Sequence, residues 1–164
     1  VDTERTVEVS TLSKTYSMAG WRLGYAVGAP ALIAAMRQYQ SHAFSTVFAA
    51  TQEAAAVALS GDQRAADDLV ATYRTRRDLV VDALLAQGWE LNRPAGTFFV
   101  WVRSPEDDDV AFASHLLQRY GVAVAPGSGF GTGGRGWIRL GLVHPEERLR
   151  DLVERLDIAR REWS

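Results

Sequence analysis

Between Asp62 and Gly88 the chain runs without a glycine or a proline, and Leu69, Tyr73, Val80 and Leu84 recur along it at helical spacing. Asp62 is a good N-terminal cap and Gly88 a good stop, so the spacing predicts a single helix of more than twenty residues. At about 1.5 Å per residue such a helix is on the order of 30 Å long, roughly the width of a small domain, and it can bridge two lobes. Its other face carries Arg64, Asp67, Arg74, Arg77, Asp78 and Asp82, the mixed charge of a solvated surface with some i,i+4 pairs. After it the composition changes, and strands and glycine turns alternate with helices. The chain therefore divides into residues 1–61, a linking helix over 62–89 and a C-terminal lobe over 90–164.

Ahead of that helix, Val7 and Val9 read as a short strand ending where Thr11, Ser13 and Lys14 arrive together. Gly20 and Gly24 permit turns or close backbone approach. Arg22 lies eight residues beyond Lys14 and is followed by a second apolar run, Leu23 to Val27. One amine, one guanidinium and two hydroxyls thus share a strand-turn-strand segment. Such a turn can aim an amine inward while an arginine fork and a hydroxyl clamp a phosphate. On spacing alone the ordinary reading is a solvated lysine with hydroxyls bonded to local backbone, and the phosphate clamp stays open beside it.

Pro30 is placed to open a helix in which Leu32, Ile33, Met36 and Tyr39 form a core stripe. Residues 42–46 read as a polar loop, and the alanine-rich run 47–59 as a helix closed by Ser60 and Gly61. The chain opens on Val1, and VDTERTVEV enters directly into a strand pattern; it is expected to begin in the middle of a longer protein.

Beyond the linking helix, Pro94, Ala95 and Gly96 turn the chain into a strand over 97–102, with Phe98 and Phe99 on opposite faces. The acidic stretch 104–109 is expected to be solvated loop and helix-start charge rather than an acid/base pair, leading into a helix with Phe112, Leu116 and Tyr120 on one face and Gly121 as its stop. A short strand over 122–125 precedes PGSGFGTGGRG (126–136). That run lacks the G-K-[ST] of a P-loop and the G-x-G-x-x-G of a dinucleotide fold, and it leads into a strand, so it is read as a flexible hairpin-like turn. Trp137, Ile138, Leu140 and Leu142 form the next strand. Arg139 interrupts it: either the strand is an edge and Arg139 faces water, or Arg139 meets an anion. Pro145, Glu146 and Glu147 open a last helix with Leu149, Leu152, Val153 and Leu156 on its core side, ending in the charged tail ARREWS.

Composition narrows the function classes. With 47% hydrophobic and 23% charged residues the 164-residue chain is that of a globular protein, and 18 Lys plus Arg against 20 Asp plus Glu leaves a net charge of -2, without the basic excess of a nucleic-acid binder. Its apolar runs are too short to span a membrane, and no cysteine is available for disulfides or thiolate metal sites, which fits a cytoplasmic protein. His42, His115 and His144 stand far apart without metal-ligand spacing.

The segment T-L-S-K-T-Y-x-M-x-G-W-R-L-G-Y, from Thr11 to Tyr25, resembles the active-site segment of the class I/II aminotransferases, the fold type I enzymes that use pyridoxal 5'-phosphate. P-x-G-T-F-F (94–99), G-V-x-V-x-P-G-x-x-F-G (121–131) and W-I-R-L-G-L (137–142) are similar to the small domain of the same family, so the resemblance covers essentially the whole chain in order. It implies an α/β fold made of the end of the large-domain sheet, a long linking helix and an α+β small domain. It implies that Lys14 holds the cofactor as a Schiff base, that Arg22 and Thr11 bind its phosphate, with Ser13 a weaker match to that role, and that Arg139 binds the substrate α-carboxylate. Serine is commoner in the family where this chain has Thr11; the hydroxyl is kept.

The activity so implied moves an amino group between an amino acid and a 2-oxo acid, and the full-length protein is expected to be a homodimer with no nucleic-acid or membrane partner. The motif details lean toward the aspartate-type and LL-diaminopimelate-type branch. Three alternatives accompany this reading: a lyase or synthase of the same fold, a non-catalytic aminotransferase-like sensor domain, and an inactive fragment lacking N-terminal cofactor contacts.

Overall fold

The structure is a computed structural model that describes residues 5–163. The first four residues of the VDTERTVEV strand reading, and Ser164 of the ARREWS tail, lie outside the described residues. The chain forms two compact units, Val1–Leu69 and Val70–Ser164.

In the first unit β1 (Val7–Thr11) pairs antiparallel with β2 (Gly24–Gly28), Val7 opposite Gly28 and Thr11 opposite Gly24. A single helical turn, α1 (Leu12–Thr15), and a 3-10 turn, Ala19–Trp21, connect them. Helix α2 (Pro30–Ala43) starts on its proline, whose missing N–H costs nothing there. Helix α3 (Ala49–Ser60) stops at Gly61. Two expectations need correction. Helix α2 extends through His42 and Ala43, shortening the loop, and its apolar stripe is not a core: Leu32, Met36 and Tyr39 are exposed, Tyr39 by 67%. The periodicity marks a face able to bury itself, but a two-stranded sheet supplies too little surface to cover it. Leu12, Ala29 and Ala55 are the buried apolar residues described in this unit.

Helix α4 (Arg64–Ala86) is 23 residues long, and the boundary between the units falls within it. At its start Asp62 Oδ1 accepts a hydrogen bond from the Arg64 amide at 2.9 Å.

The second unit is built on a three-stranded antiparallel sheet in the order β3 (Phe99–Arg103), β5 (Trp137–Gly141), β4 (Ala125–Pro126). The pleat sends Val100, Val102, Ile138 and Leu140 to one face, where each is at most 1% exposed. There they pack with Val80, Val81 and Leu84 of α4, Phe112 and Leu116 of α5 (Asp109–Tyr120), and Leu149, Val153 and Leu156 of α6 (Glu146–Glu162). Gly121 ends α5 in the left-handed conformation at φ 65°. The strand expected over 122–125 is confined to Ala125–Pro126. The charged tail is no tail: α6 runs to Glu162, and Trp163 packs edge-on against Phe112 with centroids 5.1 Å apart. Phe98 and Phe99 do not face opposite ways either. Thr97 takes a left-handed φ of 74° and β3 begins only at Phe99, so the two rings lie 4.4 Å apart. No helix among the described residues is long and apolar enough to cross a membrane.

This division of core predicts unequal protection. When residues 1–164 are expressed alone, hydrogen exchange should show the amides of β3, β5 and α5 protected most strongly, with those of β1 and β2 exchanging first. Equal protection in the two sheets would contradict the burial pattern. Leu116→Ala should cost about 2–5 kcal/mol of stability by urea denaturation.

Candidate active site

The hairpin β1–β2 fixes the first group of candidate residues. Leu12 is buried at 1% exposure, and its backbone N–H donates to the Leu23 carbonyl at 3.2 Å, which ties the two ends of the 11–23 loop together. The pairing of Thr11 with Gly24 requires glycine, because a Cβ at Gly24 would lie 2.5 Å from the Ser10 carbonyl oxygen. Thr11 caps α1: its Oγ1 accepts from the Ser13 amide at 3.1 Å, and the Thr11 and Ser13 hydroxyl oxygens are 2.9 Å apart. Lys14, the only lysine in the chain, follows on the exposed side of that turn. Arg22 is held at a left-handed φ of 52° and Ser17 at 54°, backbone conformations that cost a side-chain-bearing residue about 1–2 kcal/mol and mark the loop as strained. Arg22 Nη1 donates to the Ala19 carbonyl at 3.0 Å, which bends the guanidinium back along its own loop.

Thr11, Ser13, Lys14 and Arg22 are thus carried on one loop closed by one strand pair. Among the described residues no carboxylate engages Arg22 or the Thr11 and Ser13 hydroxyls. The loop thus carries a planar fork of donors and two hydroxyls, the donor types that suit an anionic oxygen cluster such as a phosphate.

Arg139 belongs to the second unit. Ile138 and Leu140 point into the core, so the pleat puts Arg139 on the opposite face of the sheet, across from Trp101 on one side and Ala125 on the other. Strand β5 is the central strand, which removes the edge-strand reading. The side chain is half-buried, and its Cζ lies 3.9 Å from the centroid of Phe99 and 4.1 Å from that of Phe130.

Phe130 sits in the glycine-rich segment, which is a fixed structure where the sequence reads as a flexible turn. It folds as two 3-10 turns, Gly127–Phe130 and Thr132–Gly134. The two cross so closely that a Cβ on Gly127 would lie 2.0 Å from the Gly134 carbonyl oxygen. Asp109 fastens both ends of the segment. It is only 2% exposed, and its carboxylate accepts from the Ser128 amide at 2.7 Å and the Gly136 amide at 3.3 Å. The expectation of helix-start charge holds for Asp109, the first residue of α5, and for Asp108, which caps α5 through the Ala111 amide, but Asp109 is buried rather than solvated, as is Ser104 at 3% exposure. Three adjacent aspartates look alike in sequence; only the path of a segment some twenty residues later distinguishes Asp109.

A family model described as aminotransferase class I and II matches residues 1–156, and the chain belongs to that family, whose cofactor is pyridoxal phosphate. It is 46% identical over 151 residues to an L-glutamine–4-(methylsulfanyl)-2-oxobutanoate aminotransferase of Bacillus subtilis, covering 92% of this chain and 38% of the relative. To an LL-diaminopimelate aminotransferase of Desulforudis audaxviator it is 43% identical with the same coverage. Among solved structures it superposes on an aminotransferase from Staphylococcus aureus with a TM-score of 0.90 at 31% identity, covering 96% of this chain and 42% of that one. A probable N-succinyldiaminopimelate aminotransferase from Thermus thermophilus gives 0.89 at 35% identity, with 96% and 43% covered. The α/β architecture is that of fold type I, and the chain spans about two-fifths of the length of these relatives. The donor types of the 11–22 loop fit the phosphate of such a cofactor, and the amine of the only lysine in the sequence fits its aldehyde.

Burial alone would raise the Asp109 pKa, but hydrogen bonds from Ser128 and Gly136 outweigh it and hold the carboxyl below the usual carboxylate range. A depressed folded-state pKa contributes stability that is fully present above the unfolded value of about 3.9 and is lost as pH falls through the folded one. Asp109→Asn keeps one acceptor and removes the charge. It should lower stability by about 1–3 kcal/mol at neutral pH and flatten the acid limb of the stability curve; an unchanged limb would mean that Asp109 does not anchor the segment.

Proposed function

We propose that this chain is the C-terminal portion of an aminotransferase that moves an amino group between an amino acid and a 2-oxo acid. The observation that carries the reading is the strained 11–22 loop, in which the only lysine shares a closed turn with two hydroxyls and an arginine that no described carboxylate neutralises. In this reading residues 1–61 contribute to a cofactor domain, 62–89 link, and 90–164 form the substrate-side small domain. Arg22 and Thr11, with Ser13 beside them, bind the cofactor phosphate, and the Lys14 amine holds the cofactor. When bound, pyridoxal phosphate supplies an electron-withdrawing ring that stabilises negative charge at the substrate α-carbon. With the cofactor bound, Lys14 Nζ would serve as the general base that takes the proton from that carbon and as the general acid that gives it back. Arg139 accepts the substrate carboxylate edge-on and orients the C–H bond that breaks.

The relatives named for glutamine, methylsulfanyl-oxobutanoate and LL-diaminopimelate make those compounds the first donors and acceptors to assay. A cytoplasmic homodimer is the expected state of the full-length protein. The lyase, synthase and sensor alternatives have no observation of their own in their favour.

Borohydride reduction of the cofactor-loaded full-length protein, followed by peptide mapping, should put the pyridoxyl group on Lys14; a label on a lysine elsewhere in that protein would sink the assignment. The two arginines should fail differently. Arg22→Ala should weaken cofactor retention, while Arg139→Ala should raise KM for carboxylate-bearing donors, each loss being worth about 1.5–3 kcal/mol, or roughly ten- to a hundredfold. Turnover unaffected by Arg139→Ala would remove the carboxylate role.

A further inference from the structure

Arg139 is held by rings. The ion pairs described in the second unit are made by other arginines, whereas the Arg139 guanidinium carbon lies against Phe99 at 3.9 Å and against Phe130 at 4.1 Å. The two rings reach it by separate routes. Phe99 stands directly across from Gly141 in the ladder, where no side chain blocks it, and Arg139 is its diagonal neighbour on the same face. Phe130 comes from the segment that Asp109 fastens at both ends, and its own ring is braced edge-on by Trp101, centroids 5.3 Å apart.

A guanidinium is planar and weakly hydrated, so rings laid against it shed little water and leave its N–H donors, which lie in its plane, exposed at the edge. A side chain already fixed in this way loses less conformational freedom when it binds. The arrangement suits a planar anion that meets the edge with two oxygens, as a carboxylate does. A lysine ammonium has no plane to hold.

The geometry points to Phe99 and Phe130 as positioning residues that fix the plane of the Arg139 guanidinium and present its edge to a carboxylate. This rests on the reading of Arg139 as the substrate-carboxylate site, and the experiment separates the two. In the cofactor-loaded full-length protein, calorimetry would compare the unreactive acid 4-methylpentanoate with its uncharged analogue 4-methylpentanamide. The wild type should prefer the acid, and Arg139→Gln should erase the preference; if that variant keeps it, the carboxylate reading falls and the ring proposal with it. Phe99→Leu and Phe130→Leu should each reduce the preference roughly three- to thirtyfold, while Phe130→Tyr, which keeps a ring face, should retain it. General loosening of the fold would weaken acid and amide alike, so the ratio isolates positioning. If Phe130→Leu does not fold, Phe130→Met keeps apolar volume without a ring and replaces it. Preference retained in both ring-removing variants, with Arg139→Gln still losing it, would overturn the ring proposal alone, and a loss at one ring only would overturn the two-ring arrangement.

Discussion

The pleat of β5 decides more of this molecule than any single contact. Five residues alternate Trp137, Ile138, Arg139, Leu140, Gly141, and the burial of Ile138 and Leu140 at 0–1% exposure leaves the odd positions no choice of face. Slipping the register by one residue would put a guanidinium among Leu116, Leu149 and Leu156, where an unpaired charge costs several kcal/mol. The core therefore enforces the orientation of Arg139 through its two neighbours in the strand, Ile138 and Leu140. Because β5 is central, with β3 and β4 on its flanks, its backbone is hydrogen-bonded on both sides and Arg139 is presented from a rigid base.

The glycine-rich segment extends the same logic to a loop. Close crossing of Gly127 and Gly134 needs both positions free of Cβ, and the Asp109 carboxylate satisfies two amides that would otherwise be orphaned by the crossing. Glycines here buy proximity rather than mobility. A charged hydrogen bond buried at the start of α5 thereby sets the place of the Phe130 ring, at a distance along the chain that no local pattern reveals.

What the sequence makes legible follows from how local each cause is. The long helix, the Gly121 stop and the strand around Arg139 are encoded in spacing and caps a few residues apart, and they are where the pattern puts them. The loop proposed as the active site is legible as a unit through its motif, since Thr11, Lys14, Arg22 and Gly24 answer to one turn. Helix α2 shows the limit: Leu32, Met36 and Tyr39 state that a face seeks cover, and periodicity carries no information about what covers it. Asp109 and the Phe99–Arg139–Phe130 cluster show another, because each joins residues whose neighbourhood depends on the path of the whole second unit.

The chemistry and the stability of the chain are distributed unequally. Of the described buried apolar residues, Leu12, Ala29 and Ala55 lie before the unit boundary, whereas the second unit holds a continuous core from Val80 to Ala159. Yet the first unit carries Lys14 and Arg22, left-handed φ angles at Ser17 and Arg22 in the same loop, and exposed Val9, Tyr39, Phe44 and Phe48. A two-stranded sheet is marginal by itself, and strain of a few kcal/mol is a large fraction of what so small a core can offset. A loop of this kind keeps its shape only when surrounding contacts over-determine it. Ligand contacts count among these: anything that binds the folded loop and not the unfolded chain stabilises it by mass action. The residues assigned to cofactor binding therefore occupy the part of the chain with most to gain from being occupied, and the arginine assigned to substrate stands on the part that is rigid without help.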